Sequence, residues 1–92
     1  MRVLLIGFGS IGKRHFEILS SFEQVISIDV VTKQNIQDKG TLSFKELSDV
    51  QDFERYDYFV IASETAKHYQ QLKYVCSKVD NKKVIVEKPL YD

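Results

Sequence analysis

Three glycines near the start of the chain, in Gly7-Phe8-Gly9-Ser10-Ile11-Gly12, are spaced as G-x-G-x-x-G, a pattern in which the backbone does the chemistry. That chemistry is capture of a pyrophosphate. Gly7 permits a tight turn, Gly9 lets the anion approach the main chain without meeting a Cβ, and Gly12 lets a helix pack closely on the preceding strand. Six residues alone are a weak signal, because methyltransferases and flavoproteins use similar turns. Their flanks add weight: Val3-Leu4-Leu5-Ile6 reads as a strand buried on both faces, and Ile11, His15, Ile18, Leu19 and Phe22 recur at helical spacing. The motif therefore has the strand, turn and helix that dinucleotide binding requires, with Phe8, Ser10 and Ile11 as its intervening residues.

Other candidates fall at the ends of later apolar runs. Asp29 lies 17 positions beyond Gly12, close to the roughly 20-residue offset at which a carboxylate meets the adenosine ribose hydroxyls. Its alternative is structural, since Val30 and Val31 carry the apolar run past it. If Thr32 and Lys33 occupy the pocket instead, a 2′-phosphate is welcome and NADP competes with NAD. Ser63 and Thr65 have hydroxyls able to reach a cofactor and are also ordinary helix-start residues. His68 is either a further cofactor contact or a helix residue packing on a loop. Lys88 stands between a strand and Pro89, which favours an extended backbone and aims the ammonium at a substrate oxygen, where it can assist proton transfer. The bland alternative is a solvated strand-end lysine. His15, on the inner side of the first helix, is given no chemistry.

Ninety-two residues make one small domain. Thirteen basic residues balance thirteen acidic ones, so no net field draws in nucleic acid or an anionic membrane. No apolar stretch approaches the roughly 18 residues needed to span a bilayer, and no leader pattern precedes the first strand, which makes the cytoplasm the expected location. Cys76, the single cysteine, lacks a partner for a disulfide or a metal site and reads as a core-facing helix residue.

The elements that must position these residues follow in order. A helix over about 11–21 leads to a second strand over 24–31, a polar loop over 32–40 and a short third strand at Thr41-Leu42. Ser43 and Glu46 resemble a capping box for a short helix with Phe44, Leu47 and Val50 inward. A fourth strand over 58–62 precedes a helix whose inner face is Tyr69, Leu72, Val75, Cys76 and Val79, and Val84-Ile85-Val86 form a buried fifth strand. Alternation of strands and helices predicts an α/β fold, a doubly wound parallel sheet of about five strands in the order 3-2-1-4-5 with helices on both faces. The glycine turn, Asp29, Ser63 to Thr65 and Glu87-Lys88 then all fall at the carboxyl ends of strands, where such sheets bind ligands.

Three segments together resemble one family. Gly7 to His15 is similar to the opening of the glucose–fructose oxidoreductase and inositol dehydrogenase (Gfo/Idh/MocA) family. Val60 to His68 resembles its fourth-strand segment A-T-P-T-x-x-H, with Glu64 in place of the usual proline. Val86-Glu87-Lys88-Pro89-Leu90 is similar to its E-K-P signature. The resemblance implies an NAD(P)-dependent oxidoreductase acting on a sugar, polyol or related hydroxyl compound, with Lys88 at the substrate and Glu87 near the nicotinamide. It also implies a further, substrate-binding domain, so residues 1–92 are expected to be the dinucleotide-binding domain, inactive alone. The rival readings are a free-standing regulatory module that dimerises and, more weakly, a methyltransferase.

Overall fold

The computed structural model describes residues 1–36 and 40–87. Five parallel strands, β1 (Arg2–Ile6), β2 (Ser27–Val31), β3 (Ser43–Phe44), β4 (Tyr58–Ile61) and β5 (Lys83–Val86), form one sheet in the order β3-β2-β1-β4-β5. Helix α1 (Ser10–Ser20) joins β1 to β2, and helix α2 (Thr65–Lys78) joins β4 to β5. The expected doubly wound order is the observed one.

Strand periodicity separates two cores. Val3, Leu5, Ile28, Val30 and Val60 point to one face, where Ile11, Phe16 and Leu19 of α1 cover them. Leu4, Ile6, Val31, Phe59 and Ile61 point to the other, where they meet Leu72, Val75 and Val79 from α2 and the segment between β3 and β4. Central strands buried on both faces explain the continuous apolar runs.

The outer elements depart from the sequence reading. Strand β3 is Ser43–Phe44 rather than residues 41–42, and the segment expected to be a helix forms two 3₁₀ turns, Leu47–Asp49 and Phe53–Arg55. The capping box here pairs Glu46 with Asp49, not Ser43 with Glu46. Ile18 on α1 and Phe22 just beyond it are exposed while Phe16 packs inward; on α2, Tyr69 and Cys76 are exposed. The inner stripe of α2 is His68, Leu72, Val75 and Val79, one position round from the expected face, because His68 can be buried with a hydrogen-bond partner. Strand β5 is mostly exposed, with only β4 beside it among the described residues.

Asp29 turns out to be a core residue. It lies mid-strand in β2 opposite Leu4 and is 1% exposed. Its Oδ2 accepts a 2.6 Å hydrogen bond from the buried Tyr56 hydroxyl, and its Oδ1 accepts one from the Leu42 backbone N–H at 3.1 Å. The Arg55 guanidinium stands 4.0 Å from Oδ2. These bonds tie β2 to the start of β3 and to the second 3₁₀ turn, so the carboxylate holds the fold together from inside.

Two outcomes follow. Tyr56→Phe removes a hydrogen bond to a charged acceptor and should cost about 1.5–3 kcal/mol, read as a lowered urea midpoint; an unchanged midpoint would contradict this account of Asp29. Burial, and then the Asp29 carboxylate, hold the Tyr56 hydroxyl protonated well above the ordinary phenol range. Because the folded state then keeps a proton that the unfolded state releases, stability should be full below about pH 10 and fall as pH rises beyond it. This alkaline loss should shrink in Tyr56→Phe, whereas equal slopes for the two proteins would exclude Tyr56 as its source.

Candidate functional site

The chain leaves β1 through a turn that has no room for a side chain at its first residue. Gly7 has φ +100°, and a Cβ on it would lie 2.7 Å from the Ser63 backbone. A Cβ on Gly12 would run into the Gly7 carbonyl. These two glycines let the β1 turn, the first turn of α1 and the end of β4 pack against one another. Gly9 differs. Its φ of −76° is open to any residue, and a Cβ there would meet nothing within 4 Å. The missing side chain at Gly9 is therefore needed for neither packing nor backbone, and it leaves space above the main chain.

That space opens into a crevice of about 610 Å³ at the carboxyl ends of the strands. Gly7, Phe8 and Gly9 form its floor. Gly9 is the N-cap of α1, no side chain caps that helix, and its first turn contains no acidic residue. The leading amides and the positive end of the helix dipole are thus left for a ligand anion. Phe8 is fixed by an edge-on contact with Phe16, ring centroids 5.7 Å apart, and its carbonyl accepts a 2.8 Å hydrogen bond from the Gln34 side chain.

One rim comes from β2 and β3: Val31, Thr32 and Lys33 from the first, Lys45, Glu46 and Ser48 from beyond the second. Lys45 Nζ donates to the Lys33 carbonyl at 3.0 Å, and Thr32 Oγ1 accepts from the Gln34 N–H at 3.1 Å. Lys33 Nζ lies 3.4 Å from Glu46 Oε1, both side chains being largely exposed.

The opposite rim comes from β4 and α2: Ala62, Ser63 and Glu64, then Lys67, Gln70, Gln71 and Tyr74. The Ser63 hydroxyl donates to the Gln71 side-chain oxygen, and His68 Nε2 donates to the Ser63 carbonyl at 2.6 Å. A carbonyl only accepts, so the proton sits on Nε2. His68 is buried and fixes the Ser63 corner from behind, outside the crevice lining.

Of the candidate residues, the structure gathers Gly7, Phe8, Gly9 and Ser63 around the crevice. Ser10 opens α1 at the surface, while Ile11 and Gly12 serve packing. Asp29 stays in the core two residues before β2 ends, and Thr32 and Lys33 stand on the rim where a ribose carboxylate was sought. Glu87 follows β5, its N–H bonded to the Ile61 carbonyl at 2.8 Å and its carboxylate 3.2 Å from His15 Nε2. His15, given no role by sequence, thus links α1 to the end of β5. Thr65 begins α2, but its hydroxyl and all of Lys88 lie outside the described residues.

The sequence reading missed the contributions of Lys45, Glu46 and Ser48, which depend on where β3 ends. It also missed Lys67, Gln70, Gln71 and Tyr74, although their spacing traces one helical stripe beside the buried one. Among the described residues no helix is long and apolar enough to cross a membrane, and no cluster of three metal-binding side chains occurs.

The comparisons with known proteins agree with this geometry. No curated protein sequence matches the chain significantly. Among solved structures it is similar to apo scyllo-inositol dehydrogenase from Lactobacillus casei, with a TM-score of 0.70 and 20% sequence identity, a likeness of fold. The match covers 98% of this chain and 29% of that one, so the chain spans less than a third of that enzyme's length. The family model for Gfo/Idh/MocA proteins, described as the oxidoreductase family with an NAD-binding Rossmann fold, matches residues 1–92. With an open crevice at the switch point of a 3-2-1-4-5 sheet and a family match along its whole length, the chain belongs to the Gfo/Idh/MocA oxidoreductase family and carries its NAD-binding Rossmann fold.

Proposed function

We propose that residues 1–92 hold the nicotinamide dinucleotide for hydride transfer to or from a hydroxyl-bearing substrate of the sugar or polyol class. The observation that carries this is the space over Gly9, bordered by the uncapped amides of α1. The pyrophosphate lies there, the adenosine turns to the rim made by β2 and β3, and the nicotinamide turns to the side of Ser63 and Glu87. When bound, the cofactor supplies or accepts the hydride. The chain's own residues orient it: the cradle fixes the pyrophosphate and the Ser63 corner, backed by His68, borders the nicotinamide side. Lys88, next after Glu87 in the sequence, is assigned to the substrate oxygen, where its ammonium donates, or its neutral amine takes up, the proton that accompanies hydride transfer.

The substrate class and the role of Lys88 rest on the E-K-P resemblance. The crevice rims described here serve a dinucleotide, and turnover by these residues alone is not expected. Exposed Ile85 and Val86 on β5, the edge strand among the described residues, suit an apolar cover, which a substrate-binding unit or a second copy would supply.

Titration with NADH and NADPH, following nicotinamide fluorescence and melting temperature, tests the reading. At a hundred times Kd the bound state should gain about 2.7 kcal/mol, a rise in Tm on the order of 10 °C. No response to either nucleotide at millimolar concentration would contradict it.

The glycines should separate binding from folding. Gly9→Val should weaken nucleotide binding at least about tenfold while leaving the urea midpoint nearly unchanged, because the new side chain meets only the ligand's space. Gly7→Ala should destabilise the fold itself by about 1–3 kcal/mol from its backbone conformation alone, with the contact at Ser63 added. Equal effects of both variants on folding would mean that the Gly9 space is not reserved for a ligand.

A further inference from the structure

We propose that the rim of Thr32, Lys33 and Lys45 receives a phosphate on the 2′-position of the adenosine ribose, so that this chain prefers NADP(H) to NAD(H). The inference rests on the dinucleotide reading above and concerns which dinucleotide the site takes.

A carboxylate at the end of the second strand selects the ribose diol, because it accepts hydrogen bonds from both hydroxyls and repels a phosphate. Here the carboxylate of β2 is withdrawn into the core, with its oxygens taken by Tyr56 and Leu42. The positions that reach the crevice from β2 are Thr32 and Lys33. Lys33 carries an ammonium on a side chain that is 77% exposed, and its neighbour on the rim, Lys45, carries a second.

The backbone there is built to hold its shape. Lys45 Nζ donates to the Lys33 carbonyl at 3.0 Å and lies 3.4 Å from Asn35 Oδ1, which pins the loop after β2 to the end of β3. The Thr32 oxygen accepts from the Gln34 N–H, so the hydroxyl proton is left to donate outward. Thr32 and Lys33 thus bring a hydroxyl and an ammonium to one rim of the crevice, with the Lys45 ammonium bound to the Lys33 carbonyl beside them. Lys33 is the specificity-determining contact, and Lys45 acts chiefly as a positioning residue.

Glu46 is the carboxylate on the same rim. It lies 3.4 Å from Lys33 Nζ and also accepts from the Asp49 N–H in the capping box. An ion pair this exposed is worth little, so Lys33 can exchange it for a dianionic phosphate at small cost. Glu64, on the opposite rim, is engaged with Lys67 at 3.6 Å.

The test is a comparison of Kd for NADPH and NADH, by calorimetry at low salt, in the unmodified chain and in Lys33→Ala and Glu46→Gln. NADPH should bind about tenfold or more tightly than NADH. Lys33→Ala should remove most of that ratio by weakening NADPH while NADH changes less than about twofold. Glu46→Gln should strengthen NADPH binding, because it frees Lys33 from its ion pair. Equal or tighter binding of NADH, a Lys33→Ala variant that keeps the ratio, or a Glu46→Gln variant that does not bind NADPH more tightly would each overturn the preference while the dinucleotide reading stands. Binding of neither nucleotide would overturn that reading and this inference with it.

Discussion

The structure depends on how closely three pieces of backbone approach one another where β1 gives way to α1. Gly7 lies against the end of β4, and Gly12 closes onto the Gly7 carbonyl, both at distances no side chain could share. Because β2 and β4 flank β1 on opposite sides, their following segments diverge at this point and leave an opening between them. Tight packing beneath produces the crevice above. It also places Gly9, the N-cap of α1, on the lining of that crevice, with no side chain capping the helix.

Around this junction the polar side chains divide their work. Asp29 and His68 are the two buried polar residues among those described, and each serves a neighbour: Asp29 ties Tyr56 and the start of β3, and His68 holds the carbonyl of Ser63. Burying a carboxylate is costly unless its oxygens are satisfied, which explains why Asp29 is fully engaged and does not reach the surface. The consequence appears at the rim. With its carboxylate kept inside, β2 meets the crevice through Thr32 and Lys33, so a hydroxyl and an ammonium, not that carboxylate, face this rim.

The central strands and their order were legible because strands covered on both faces must be apolar throughout, and the runs at Val3, Val30 and Phe59 satisfy this plainly. The three glycines were legible too, since each position answers a different spatial demand. The segment from residue 41 to 56 was not. Its two 3₁₀ turns take their place from contacts distant in sequence, above all the Tyr56 bond to Asp29, and local periodicity carries no trace of them. Asp29 itself misled for the same reason, because the offset from Gly12 counts residues and cannot tell mid-strand from strand end. On α2, Tyr69 and Cys76 were assigned inward by their apolarity, whereas the buried position went to His68, whose partner only the folded chain provides.

The central claim is that a dinucleotide lies across the bare amides following β1. Backbone amide chemical shifts recorded while NADPH is added report on those amides directly. The largest changes are expected at Gly9, Ser10 and Ile11, with further changes at Thr32, Lys33 and Ser63, and little at Ser27 and Ile28 at the opposite, amino end of the strands. Saturable shifts concentrated at Ser27 and Ile28, with Gly9 and Ser10 unmoved, would contradict the account.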